Sequence, residues 1–154
     1  MKTAIHLLIT VLLAFWLIGI FIEQLIPGFP FLIYLHPFLD LTYSNVCHQQ
    51  PEKIIEFTGG GSTLTCARCT GIYFGTFAAA LLLMFIKLKK IISNLYFIIA
   101  SLLIVLDVVF YSIGLYQYSK VIAFITGLFF GSIVFYYFYY GINEYFSHRL
   151  NYKN

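Results

Sequence analysis

All three cysteines of this 154-residue chain fall between positions 47 and 69, and a histidine follows the first of them. Cys47-His48 lies in a polar stretch, and Cys66 and Cys69 form a Cys-x-x-Cys unit. Residues three apart on a helix share a face, so both sulfurs of that unit can point at one spot. Two thiols from one short unit, a third thiol and an imidazole make Cys47, His48, Cys66 and Cys69 a tetrahedral donor set for a metal ion. Soft thiolates with imidazole select zinc or copper(I) over magnesium or calcium, and zinc is the favoured ion. Neighbours such as Cys47 and His48 seldom both ligate one ion, so His36, a carboxylate or water is an alternative fourth ligand. An open fourth position suits catalysis or metal transfer, and a closed one is structural.

The same atoms allow two other chemistries. A cysteine at a helix amino terminus beside Arg68 has a lowered pKa and becomes a reactive thiolate. Cys66 and Cys69 are then a redox pair, with Cys47 as a relay thiol. Alternatively, Cys47 and one of the other two form a disulfide that staples the loop to a helix, although the odd count argues against a purely structural pair. A c-type haem site is excluded by Thr70, which stands where attachment needs histidine.

Other polar residues could serve this group. Asp107 is the one charge deep in an apolar run, and a carboxylate in hydrocarbon needs a partner or a polar cavity. Its depth matches that of Arg68 and Tyr73, so it is expected to face the cysteines and pair with Arg68, or to act as a base or ligand. Glu52 and Glu56 are further candidate bases in a solvated loop. Glu23 and His36 are read as a solvated end-of-span carboxylate and a loop histidine, either of which could line the site. His6 is expected at the opposite membrane interface, and His148 in a basic tail.

These residues need elements to position them, and composition names the class. The chain is 61% hydrophobic and 10% charged, against about 25% charged in soluble domains. Lipid is therefore the solvent. The net charge of +3 is scattered over segment ends, which excludes a nucleic-acid footprint. The expected fold is one all-α membrane domain over 1–154 with four transmembrane helices, at about 4–24, 66–86, 92–113 and 121–142. The first is expected to be an uncleaved helix, because it lacks a small-residue cleavage site. An outward loop over 25–65 carries the Cys/His residues, with a proline-punctuated apolar part, Phe29 to Leu41, that lies in the interface or packs over the bundle. The stretch Gly59 to Ser62 reads as flexible. Gly71 with Gly75, and Gly127 with Gly131, are Gly-x-x-x-Gly pairs that permit close helix approach.

Basic residues set the orientation. With the amino terminus inside, Lys2, Lys87, Lys89, Lys90, Arg149 and Lys153 are cytoplasmic, and Lys53, Arg68 and Lys120 are outside. Both termini are then cytoplasmic in an inner membrane, with the cysteines extracytoplasmic. The aromatic run Tyr136 to Tyr140 suits the inner interface belt.

The paired signature Cys47-His48-Gln49-x-Pro51-Glu52-Lys53 and Cys66-Ala67-Arg68-Cys69-Thr70-Gly71-Ile72-Tyr73-x-Gly75 resembles a family of small prokaryotic membrane proteins catalogued as domain of unknown function 2085. Lys53 stands where that family is expected to carry arginine. The resemblance implies that the two cysteine elements define the family, and it supplies no activity. Three functions follow from the residues: an extracytoplasmic transition-metal site for metal handling or metal-dependent chemistry, a membrane thiol-disulfide oxidoreductase, or a non-enzymatic subunit of a larger membrane complex with a Cys/His clip. Partners are the lipid bilayer and a second copy or larger complex, not nucleic acid.

Overall fold

Apolar runs dominate the sequence, and helices dominate the fold, because a helix satisfies its own backbone in lipid. The computed structural model describes residues 3–86 and 93–151, with side chains over 4–86 and 93–144. Lys2, Lys87, Lys89, Lys90, Ile92 and Lys153 therefore lie outside the described residues, as do the side chains of His148 and Arg149. Helix α1 spans Thr3–Ile20 and a single turn, α2, spans Ile22–Leu25. A 3-10 turn at Pro30–Tyr34 leads into α3, His36–Ser44, and a second at Pro51–Lys53 leads into β1, Ile54–Glu56. Strand β2, Ser62–Cys66, is followed by α4, Ala67–Phe85, α5, Asn94–Ser112, and α6, Lys120–Asn151.

Three described helices are long and apolar enough to cross a membrane: Ala67–Phe85, Asn94–Ser112 and Lys120–Glu144. The first apolar run, expected to be helical to residue 24, turns at Phe21. Its helix, at 18 residues, is about 27 Å long, close to the roughly 30 Å of a hydrocarbon core. The last helix runs past the expected end at Ile142 to Asn151, with no proline to stop it.

The hairpin of β1 and β2 corrects the all-α expectation. Ile54 pairs with Cys66 and Glu56 with Ser62, antiparallel. The segment read as flexible is its turn: Gly60 and Gly61 both sit at φ +85°, a conformation glycine adopts without steric cost. Phe57 N–H donates to Gly61 O at 3.1 Å across it. The flanking Ile54, Ile55, Thr63 and Thr65 are β-branched and favour a strand.

Helices α4 and α6 form the central pair, with α1 packed on α4 and α5 on α6. The two glycine pairs interlock there. A Cβ on Gly71 would collide with Phe124 O, on Gly75 with Leu128 O, on Gly127 with Arg68 O and on Gly131 with Ile72 O. The backbones touch directly, and Ser132 Oγ donates to Gly75 O at 3.1 Å across the contact. Below it lies a core of Ala79, Ala80, Leu83, Phe135 and Tyr136, so Tyr136 of the aromatic run is interior while Phe138 is exposed. His6, expected at the interface, is enclosed here: its Nε2 donates to Ala80 O at 2.9 Å, and its ring lies 5.0 Å from that of Tyr139. A second core at the cysteine end joins Leu17, Ile20, Ile22, Tyr43 and Leu64. Tyr43 ties α3 over α1, donating to Trp16 O at 2.6 Å.

Candidate metal centre

Cys66 and Cys69 sit at the mouth of α4. Cys66 is the residue that caps the helix, in an extended conformation, and Cys69 is the third helical residue. Both side chains therefore stand at the first turn, where the helix N–H groups lack intrahelical partners. Strand β2 delivers Cys66 into this place. Thr65 Oγ1 and Thr70 Oγ1 lie 2.9 Å apart, both buried, linking the strand end to the first turn.

Cys47 comes from the other side, just after α3. Its N–H donates to Tyr43 O at 2.9 Å, which carries the helical turn one residue further. The chain then reverses at Gln49, whose φ of 45° lies in the left-handed region. A glutamine in this conformation is held there by its surroundings. Its Nε2 donates to Leu64 O at 2.9 Å and to Asp40 Oδ1 at 3.0 Å. The result is that Cys47, Cys66 and Cys69 present sulfur atoms all within 4.8 Å of one another. Among the described residues this is the group of ligand-type side chains that could share one ion.

Within the trio, Cys47 is the sulfur whose proton affinity falls. The thiols of Cys66 and Cys69 hydrogen-bond to it, as do the backbone N–H groups of Cys66 and Gln49, and together they pull its pKa well below the ordinary thiol value against the opposing effect of burial. The Cys66 N–H to Cys47 Sγ distance is 3.2 Å. Cys66 moves up, because it donates to Cys47. The three protons are shared by the cluster rather than owned by single residues.

A cleft of about 270 Å³ opens above the sulfurs, lined by His48, Gln49, Gln50, Lys53 and Arg68 as well as the three cysteines. His48 is exposed at its rim and is not one of the three converging ligands. Arg68, between the two helix cysteines, pairs with Asp107 of α5. The second Asp107 oxygen takes the hydroxyl of Tyr116, not of Tyr73, and this bond raises the Tyr116 phenol pKa. Tyr73 instead packs beside Trp16, with ring centres 5.8 Å apart. Lys53 holds its ammonium 4.6 Å from the Tyr111 ring centre and 5.6 Å from that of Tyr118.

The remaining candidates stand apart from the sulfurs. Glu23, expected to be solvated, is a latch: Oε1 takes His36 Nε2 at 3.0 Å, and Oε2 takes Ser62 N–H at 2.6 Å and Ser62 Oγ at 3.0 Å. Both Glu23 and His36 are thereby engaged with each other rather than with the cysteines. Glu52 lines a neighbouring cleft with Tyr111, Tyr116 and Tyr118, and Glu56 is exposed at the end of β1. The residues that sequence reading missed are Gln49, Tyr116 and Tyr118. The one available signal was the tyrosine-rich turn Tyr116-Gln117-Tyr118 next to the end of the helix that carries Asp107.

The profile of a family described as "Predicted membrane protein (DUF2085)" matches residues 47–137. The chain belongs to this family. The match begins at Cys47 and contains the hairpin, the Cys-x-x-Cys turn, Asp107 and both glycine pairs, so the DUF2085 region is the part that builds the centre. An uncharacterised protein of Methanocaldococcus jannaschii is 38% identical over 98 residues, which are 61% of this chain and 62% of that protein. The chain thus matches less than two thirds of that relative's length. An uncharacterised protein of Methanothermobacter thermautotrophicus is 31% identical over 91 residues, 57% of this chain and 79% of that protein. No solved structure matches the chain.

Proposed function

We propose that this DUF2085 protein carries a transition-metal site at the extracytoplasmic face of the membrane, for metal handling or metal-dependent chemistry. Cys47, Cys66 and Cys69 supply three thiolate ligands. His48 at the rim, or water, completes the set, and zinc is favoured over copper. The observation that carries this reading is the convergence of the three sulfurs within 4.8 Å from two separate chain segments. When bound, the ion would act as a Lewis acid or as cargo. The protein's own part is to hold the thiolates at a helix amino terminus, to seat Arg68 against Asp107, and to leave one side of the cluster open to the cleft.

The proposed topology has four spans, with α1 as the first and both termini cytoplasmic in the inner membrane. It rests on the six basic residues assigned inside against three outside. Lys53, Arg68 and Lys120 all belong to the cysteine end, together with the acidic Asp40, Glu52 and Glu56. Association with a second copy or a larger membrane complex, with the cluster as a clip, is compatible with the same site.

A second reading is favoured by the closeness of three free thiols, of which Cys47 has its pKa drawn down. Three free thiols this close could exchange disulfides, with Cys47 attacking a partner's disulfide. One experiment separates the two. The protein is purified in detergent without added metal, its metals are measured by mass spectrometry, and its free thiols are titrated on the same sample. About one zinc or copper per chain is expected, lost in each of Cys47→Ser, Cys66→Ser and Cys69→Ser. A metal-free protein with Cys66 and Cys69 in a reducible disulfide overturns the metal reading in favour of thiol exchange.

A further inference from the structure

The segment between α2 and Cys47 is inside out for an element in water. Phe29, Phe31, Ile33, Tyr34, Phe38 and Leu41 stand 56–87% exposed. Its polar groups bond within the protein, although Asp40, Ser44 and Asn45 stay exposed. His36 turns inward to Glu23, and Asp40 takes the Gln49 side chain. Thr42, Ser44 and Asn45 each donate back to a carbonyl of α3, at 2.7–2.8 Å. A water-facing segment would bury its aromatics. This one does the opposite, and an exposed apolar patch of this extent marks a surface that meets something other than water.

From this inversion we propose that residues 29–41 form a platform embedded in the lipid leaflet at the cysteine end of the bundle, with the acyl and headgroup boundary as its partner. Three observations select lipid over a protein partner. The segment is tied to α1 through Tyr43 on Trp16, and α1 likewise exposes apolar side chains, with Phe15 68% and Ile18 52% exposed. The chain belongs to a family of predicted membrane proteins, and three of its described helices are long and apolar enough to cross a bilayer. Three of the six are phenylalanine and one is leucine, types that the buried face of an interfacial segment carries. An interfacial segment of this kind sinks about 5–10 Å into the headgroup boundary. Through Tyr43 on Trp16 and Gln49 on Asp40, the platform is rigidly joined to the turn that presents Cys47. It therefore sets the height of the cleft relative to the headgroups.

The inference rests on membrane placement and not on the metal reading, so each can fail alone. Benzoylphenylalanine is placed at Phe31, Tyr34 or Phe38, with Thr58 in the exposed hairpin turn as control. The full chain is reconstituted in phosphatidylcholine nanodiscs, irradiated and analysed by intact mass. Variants that keep the parent's thermal unfolding are scored, which the exposure of these positions favours. Lipid adducts at all three positions and none above background at Thr58 are the expected result. Adducts between two copies, or no lipid adduct at the three positions, overturn the platform.

Discussion

Replacing Gly127 with alanine tests the central contact and the site together. A methyl group there would stand 3.1 Å from Ile72 N and 3.3 Å from Arg68 C, and nearer still to Arg68 O. Ordinary contacts between such atoms are about 3.5–4 Å. The opposing atoms are backbone and cannot rotate aside, so α4 and α6 must part. Overpacking of this kind costs about 1–3 kcal/mol, against a gain of about 0.5–1 kcal/mol for alanine over glycine in a helix. The net expectation is a loss of about 1–2 kcal/mol, up to roughly a thirtyfold shift in the folded fraction. Gly141→Ala is the matched control: no atom lies within 4 Å of its Cβ position, so it keeps the helix gain alone. Equilibrium unfolding by dodecyl sulfate in mixed micelles, followed by circular dichroism, measures both. Arg68 O belongs to the residue between the two helix cysteines, so bound metal per chain should fall in Gly127→Ala and not in Gly141→Ala. Equal unfolding midpoints for the two variants would refute the interlocked packing.

Three further outcomes are expected. Arg68→Gln should cost about 3–5 kcal/mol, because it strands the buried Asp107 carboxylate, and Asp107→Asn should cost less, because Arg68 is only half-buried. The double variant Asp107→Leu with Arg68→Leu should cost less than the sum of the single leucine variants, and additivity in the same micelle assay would show that the pair is not coupled. Gln49→Ala loses both anchors and with them the hold on the left-handed turn, so it should cost about 1–3 kcal/mol and speed labelling of Cys47 by a maleimide; an unchanged labelling rate rejects the anchoring role. Burial raises the Glu23 pKa, but the hydrogen bonds from His36 and Ser62 outweigh it and hold the carboxylate below its ordinary value. Its stabilising contribution is thus complete above about pH 4.3 and is lost as pH falls through the depressed value. Glu23→Gln should flatten that part of the stability curve, and identical wild-type and variant curves below pH 4 would discount the latch.

What could be read in advance was local or costly. The apolar runs and the glycine pairs are periodic patterns that lie on helices, while of the Cys-x-x-Cys unit Cys69 lies on the helix and Cys66 ends the strand before it. Asp107 stood out because a carboxylate in hydrocarbon demands a partner, and Arg68 was the cation at matching depth. What escaped were contacts made by tertiary geometry. The hairpin was hidden because a run of polar and glycine residues reads as flexible until its two β-branched flanks are paired. Glu23 looked solvated because Ser62, one of its two partners, lies 39 residues away. His6 looked interfacial because nothing local announces that Ala80 O stands open to it. Gln49 stood in the Cys-His-Gln signature, but nothing local announced its role, since its left-handed turn is imposed by the carbonyl and carboxylate it reaches.

The interlocked glycines also bear on how the protein is made. Helix α4 leaves the ribosome before α5 and α6, and its partner glycines lie 56 residues later in the chain. Until α6 arrives, the grooved side of α4 faces lipid, and the carbonyl of Arg68 has nothing pressed against it. Helix α5, which among the described helices packs chiefly on α6, must insert first and wait for its neighbour. Assembly of the cysteine turn is therefore a late event in biogenesis, gated by the last helix. A nascent chain that already holds every cysteine still lacks the surface that seats two of them.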